Sequence, residues 1–191
     1  MIDDWRRAED ILNKDGIVVL PTDTIYGIVG SALSKKAVEK IYKVKGRLES
    51  KPFIVLINSY ENLKLFGIKI NKDQTRFFEK IWPGKVSVIF PCLLNKWSYI
   101  HRGVGSIAFR MIGPRNKSLF ELIEKVGPLV APSANPEGEK PAETIAQAKK
   151  YFGNEVDVYI NGGIRKVKPS TLIKFKDNDY IILRQGDIII K

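Results

Sequence analysis

The sequence predicts one α/β domain built on a mixed sheet, and three observations carry that prediction. Short runs rich in β-branched residues alternate with segments of helical periodicity. The chain closes with two strands joined by a turn at Asp177-Asn178-Asp179, a hairpin that brings antiparallel pairing into the sheet. No internal repeat, low-complexity tract or Pro/Ser-rich linker divides the 191 residues. Residues 1–191 therefore read as a single domain, long enough for a sizeable core.

Composition narrows the function classes. Hydrophobic residues make up 44% and charged residues 28%, both ordinary for a globular protein. No apolar run approaches the roughly 20 residues that span a membrane. The acidic start, Met1-Ile2-Asp3-Asp4-Trp5, lacks the order of a signal peptide, so a cytoplasmic location is expected. One cysteine, Cys92, and one histidine, His101, rule out a disulfide framework and a Cys/His zinc cluster. The two read as a buried thiol and an exposed loop histidine, with a Cys–His dyad as the alternative. The net charge of +11 points to an anionic partner, either nucleic acid or a phosphorylated small molecule. A lysine-rich surface unrelated to function is the competing explanation.

The elements follow in order. Trp5, Ala8, Ile11 and Leu12 define a helix over 3–15 that Gly16 stops. Ile17–Leu20 is a buried strand. Its exit, Pro21-Thr22-Asp23-Thr24-Ile25-Tyr26-Gly27, is dense in hydroxyls and reads as a capped turn or as the ligand-bearing end of an α/β strand. Ser34 caps a helix whose apolar stripe is Ala37, Val38, Ile41, Tyr42 and Val44, ending near Gly46. Phe53–Ile57 is a second buried strand. Helices over 59–66 and 71–81 follow, the latter ended by Trp82-Pro83-Gly84. Lys85–Phe90 is a strand closed by Pro91. The stretch 93–104 is irregular and reads as a mobile loop. Ser106–Ile112 is a strand with Arg110 on the same side as Ala108 and Ser106. An arginine there needs a partner, either a structural carboxylate or a ligand's. Then come a helix over 116–126, a short apolar run at 128–131, a helix over 143–152, a strand over 156–160, the hairpin 170–175/180–183, and a last strand at 188–190.

Two stretches carry candidate chemistry. In Pro132-Ser133-Ala134-Asn135-Pro136-Glu137-Gly138, Ser133 and Asn135 sit two apart in an extended segment, so their side chains point the same way. They suit a polar ligand, or they form an ordinary turn. Lys45-Gly46-Arg47 ends a basic helix. An arginine fork beside a lysine holds polyphosphate, although the helix dipole alone favours cations there. There is no Gly-x-Gly-x-x-Gly and no Walker-type Gly-Lys-Ser/Thr.

Seven motifs in order resemble the YrdC-like (TsaC-type) threonylcarbamoyl-AMP synthase family. They are Pro21–Gly27, Lys45-Gly46-Arg47, Trp82-Pro83-Gly84, Ile107-Ala108-Phe109-Arg110, Ser133-Ala134-Asn135, Ser170-Thr171-Leu172-Ile173 and Arg184-Gln185-Gly186. The resemblance implies a single-domain twisted mixed parallel/antiparallel sheet with flanking helices, a YrdC-like fold that also resembles DHBP synthase. It implies condensation of L-threonine, bicarbonate and ATP, the last with Mg2+, into threonylcarbamoyl-AMP and pyrophosphate. That product serves the N6-threonylcarbamoyl modification of tRNA through a separate transferase complex.

The implied catalytic residues are Lys45, Arg47, Ser133 and Asn135. Lys51, Ser106 and Arg184 join them in binding ATP, and Thr24, Tyr26, Arg110, Ala131 and Ser170 shape the threonine pocket. Alanine at Lys45 or Arg47 is expected to lower turnover strongly without unfolding the protein. Leu56 and Lys51 stand where some members have His and Asn, and Gln185 stands where Pro is usual. Glu139 lengthens the loop after Asn135 by one residue. These departures leave room for a paralogue with another substrate. The competing class is a binding module for tRNA or double-stranded RNA on the same fold.

Overall fold

The computed structural model describes residues 2–48, 50–176 and 179–190. It contains α1 (Ile2–Leu12), β1 (Val18–Pro21), β2 (Tyr26–Ser31), α2 (Lys35–Lys45), β3 (Ile54–Ile57), α3 (Glu61–Leu65), α4 (Lys72–Ile81) and β4 (Val86–Pro91). There follow α5 (Ser98–His101), β5 (Ser106–Met111), α6 (Lys117–Val126), β6 (Leu129–Val130), α7 (Ile145–Phe152), β7 (Val158–Tyr159), β8 (Thr171–Lys176) and β9 (Asp179–Arg184). The strands form one sheet in the order β7-β1-β2-β6-β3-β5-β4-β8-β9. Pairs β1/β7, β3/β5 and β4/β8 are parallel and the others antiparallel, so the sheet is mixed, as the sequence predicts.

Helices cover both faces. On one, Ala8 and Leu12 of α1 and Leu119, Leu122 and Val126 of α6 pack over Val18, Leu20, Val29 and Leu56. On the other, Val38 and Ile41 of α2, Phe78 of α4 and Phe152 of α7 join Val19, Ile28, Val55, Val88 and Phe109 in a second cluster. Val18 and Val19, or Val55 and Leu56, fall in opposite clusters because consecutive strand residues face opposite ways. Fully buried rings such as Phe53, Phe78 and Phe109 each contribute about 2–3 kcal/mol by leaving water.

Three readings are corrected. The Pro21–Gly27 stretch is the turn of a β1–β2 hairpin, and the sequence reading missed β2. Its glycines hide it: a Cβ on Gly30 would lie 3.1 Å from Ile41 Cδ1 and 3.2 Å from Ala37 Cβ, so α2 packs where a side chain would stand. Residues 93–104 are not irregular. A 3₁₀ turn at Asn95–Trp97 leads into α5, and Trp97, Ile100 and His101 are buried. The Tyr99 hydroxyl donates to Ala32 O at 2.9 Å, which pins this segment to the end of β2. His101 is therefore not an exposed loop residue: its Nδ1 accepts from Gly103 N at 3.2 Å, while the buried Cys92 thiol donates to Phe66 O. Finally, 188–190 is not a strand. Ile188 O accepts from Thr171 Oγ1 at 2.6 Å and from Gln185 Nε2 at 2.8 Å instead. The turn at 177–178 lies outside the described residues.

Candidate functional site

The site begins at the C-terminal end of α2. Ser34 caps its start, accepting from Ala37 N at 3.1 Å, and Gly46 ends it in the left-handed region at φ 58°. Lys45 points inward, and Arg47, just past the turn, lies over the Phe53 ring. Lys45 is 2% exposed, so a solvated helix end does not describe it. Its Nζ donates to Ser133 O at 2.6 Å and also to Asn135 O. Burial, and secondarily the nearby Arg47, lower its pKa to about 7, while Glu137 acts in the opposite direction.

A stack of rings and cations positions Arg47. Arg102 lies over the Tyr42 ring at 3.9 Å, Tyr42 stacks on Phe53 with centroids 4.0 Å apart, and Arg47 lies over Phe53 at 5.4 Å. The Tyr42 hydroxyl and Arg47 Nε both donate to Lys51 O, at 2.9 and 3.2 Å. This ties Arg47 and Lys51 together beside the site.

Arg47 opens onto a cavity of about 430 Å³, within the range of small-ligand sites. Its wall also includes Thr24, Tyr26, Ser106, Arg110, Ala131, Ser133, Ser170 and Arg184. Nine predicted residues, from six separate stretches of chain, thus share one cavity. Lys45, Lys51 and Asn135 do not line it. Lys45 sits behind the Ser133–Asn135 loop, and Lys51 pairs with Glu137 at the rim. Ser133 and Asn135 do not present their side chains alike, because Asn135 Nδ2 donates back to Pro136 O and Glu139 O, both at 2.8 Å. The additional residue Glu139 thus supplies one of those acceptors. Asn135 Oδ1 is buried and has no hydrogen-bond partner among the described residues.

Deeper in the cavity two arginines face one another's charge. Arg110 Nη2 lies 3.0 Å from Asp23 Oδ1, so a structural carboxylate meets its need for a partner while the residue still lines the wall. Arg184 donates through Nε and Nη2 to Ser170 O at 3.1 and 2.9 Å, and burial together with Arg110 lowers its pKa. Ser170 Oγ lies 2.9 Å from Ser87 Oγ. Gly186 makes the turn after Arg184 feasible, since a Cβ there would meet Pro169 O at 2.2 Å. Tyr26 contributes its ring only. Its hydroxyl donates to Gly163 O and accepts from Gly162 N, each at 2.8 Å.

Sequence reasoning missed Asp23, Ser87 and Glu137. Glu137 carried one signal: it is an acid two residues after the Ser133–Asn135 motif in a strongly basic chain.

The Sua5/YciO/YrdC family model, described as telomere recombination, matches residues 10–186. The chain belongs to this family. Within the Sua5/YciO/YrdC family it is similar to a threonylcarbamoyl-AMP synthase of Pyrococcus abyssi, 31% identical over 98% of this chain and 56% of that protein. A threonylcarbamoyl-AMP synthase of Bacillus subtilis is 33% identical over 95% of this chain and 53% of its own length. The crystal structure of P. abyssi Sua5 complexed with L-threonine superposes with a TM-score of 0.86 at 28% identity, covering 95% of this chain and 54% of that one. The chain thus spans about half the length of these relatives. The family is the one that the seven motifs resemble, and the fold agrees. No helix among the described residues is long and apolar enough to cross a membrane.

Proposed function

We propose that this protein is an L-threonylcarbamoyladenylate synthase, joining L-threonine, bicarbonate and ATP into threonylcarbamoyl-AMP with release of pyrophosphate. One observation carries the reading: a single cavity gathers Arg47, Arg110 and Arg184 with the hydroxyls of Thr24, Ser106, Ser133 and Ser170. The reaction brings three anions together, and such a set of cations and donors matches that demand. The similarity to named threonylcarbamoyl-AMP synthases and to a Sua5 protein complexed with L-threonine supports it.

The threonine amine attacks the carbon of carbon dioxide and loses a proton to solvent, or attacks bicarbonate with loss of water, and a carbamate forms. The resulting carbamate oxygen attacks the α-phosphorus of ATP, and the bond to pyrophosphate breaks. Both steps depend on positioning and on preorganised charge, worth several kcal/mol in a site of fixed donors. Arg47 and Lys51 hold the phosphates, and Mg2+ enters as part of the Mg·ATP substrate. Ser133 meets the nucleotide, on a loop that Lys45 holds from behind and that Asn135 braces through its Nδ2 bonds to Pro136 O and Glu139 O. Lys45 is therefore a positioning residue rather than a phosphate ligand. Ser106 and Arg184 add nucleotide contacts. Arg110, oriented by Asp23, pairs with the threonine carboxylate, and Thr24, Tyr26, Ala131 and Ser170 shape the amino-acid pocket. The product passes in the cytoplasm to a transferase complex that modifies tRNA.

The test is pyrophosphate release from ATP in bicarbonate, with L-threonine, with L-serine and with neither. Threonine-dependent release is expected. Its absence, together with salt-sensitive RNA binding, would transfer the protein to the RNA-binding class.

A further inference from the structure

The rim of the cavity holds a carboxylate where the proposed reading places phosphate. Glu137 Oε2 lies 3.3 Å from Arg47 Nη1, and Glu137 Oε1 pairs with Lys51 Nζ. One acidic side chain thus bridges both groups assigned to the polyphosphate. We propose that Glu137 is an internal competitor for that anion position: ATP displaces it on binding, and its return helps expel pyrophosphate. The inference rests on the reading that this cavity takes ATP.

The attachment of Glu137 suits the task. Its backbone N–H donates to Lys45 O at 2.8 Å, which ties its main chain to the end of α2. The next residue, Gly138, has φ 87° and no atom within 4 Å of where a Cβ would stand. The anchor is fixed, while the side chain is 28% exposed and has solvent beside it to turn into once its two ion pairs break.

The energetics point the same way. A half-exposed carboxylate bridging two cations gains little net energy. A polyphosphate brings more charge and can take the Arg47 fork with two oxygens, so it prevails. When the site is empty, Glu137 is the counterion that offsets repulsion among Lys45, Arg47 and Lys51. The hydrogen bond from Lys51, with the charges of Arg47 and Lys45, holds its carboxyl below the usual range, so it is ionised at neutral pH.

A competing internal ligand lowers the apparent affinity of every anion at that position by a common factor. ATP and pyrophosphate are therefore both held more loosely. Looser product matters because pyrophosphate leaves from the same two cations.

The experiment is calorimetric titration of pyrophosphate and of inorganic tripolyphosphate, without Mg2+ and at fixed ionic strength, into the wild-type protein and into Glu137→Gln. The neutral amide keeps the size of the side chain and removes the competing charge. Binding of both anions is expected to tighten about tenfold. In turnover, KM for ATP and the inhibition constant of pyrophosphate fall by that same factor, while KM for threonine is unchanged. Unchanged or weaker anion binding by Glu137→Gln overturns the proposal and makes Glu137 a support for Lys51. Absence of anion binding to both proteins overturns it as well. If anion binding tightens but no threonine-dependent pyrophosphate release exists, the competitor stands and the proposed reaction fails.

Discussion

Lys45 holds Ser133: an ammonium group at the end of α2 donates at 2.6 Å to a carbonyl 88 residues away. The same nitrogen reaches Asn135 O, so one buried side chain fastens the loop that forms one wall of the cavity.

Lys45→Met keeps the bulk and removes the donors. Two carbonyls then lose their partner, and the cost is about 2–3 kcal/mol. Urea denaturation should show a lower midpoint with little change in slope. This revises the expectation that a change at Lys45 would spare stability.

The same residue sets a pH dependence. Its pKa falls from 10.5 to about 7 on folding. Between those values the unfolded chain binds the proton and the folded chain does not, so stability rises as pH increases through that window. Below about 7 both states are protonated and the contribution is constant. A neutral amine still has two N–H groups for the two carbonyls. Urea midpoints measured from pH 6 to 10 should rise for the wild type, and this increment should vanish in Lys45→Met.

Asp23→Asn leaves Arg110 buried without its counter-charge. Breaking one side of a buried pair costs about 3 kcal/mol, and the side chains are only 5% and 15% exposed. A fall in the unfolding midpoint should accompany a raised KM for threonine, because Arg110 loses its orientation.

Tyr26→Phe deletes the hydroxyl that joins Gly162 N to Gly163 O. The expected loss is about 1–2 kcal/mol. Amide hydrogen exchange at Gly162 should quicken locally.

Arg47→Ala acts differently. Its guanidinium is partly exposed and its pairing with Glu137 is at the surface, so stability should change by less than about 1 kcal/mol. Loss of a preorganised charge from the phosphate position should lower turnover about 100-fold. A pyrophosphate-release assay beside a melting curve separates the two effects.

Much of the fold was legible because burial imposes periodicity. Val18–Pro21, Ile54–Ile57 and Val86–Pro91 announce themselves by apolar, β-branched runs, and α2 by its cap and stripe. β2 was not legible, because two glycines thin its pattern where α2 and Pro132 come close. Nor was α5: its four residues are too few to show a period, and its order comes from Trp97 and Ile100 entering the core.

The sequence by itself determined the class of fold, the family and the chemical types gathered at the site. These follow from local pattern and from motifs in a fixed order, each readable within a few residues. The tertiary structure alone decided how those residues divide the work. Lys45 and Arg47 are two positions apart, yet one is buried behind the loop and the other lies on the cavity wall. Asp23 meets Arg110, and Glu137 meets Arg47 and Lys51, across gaps that no local periodicity spans. Such pairings depend on where the sheet brings distant strand ends together, and on which charges lose water when it does.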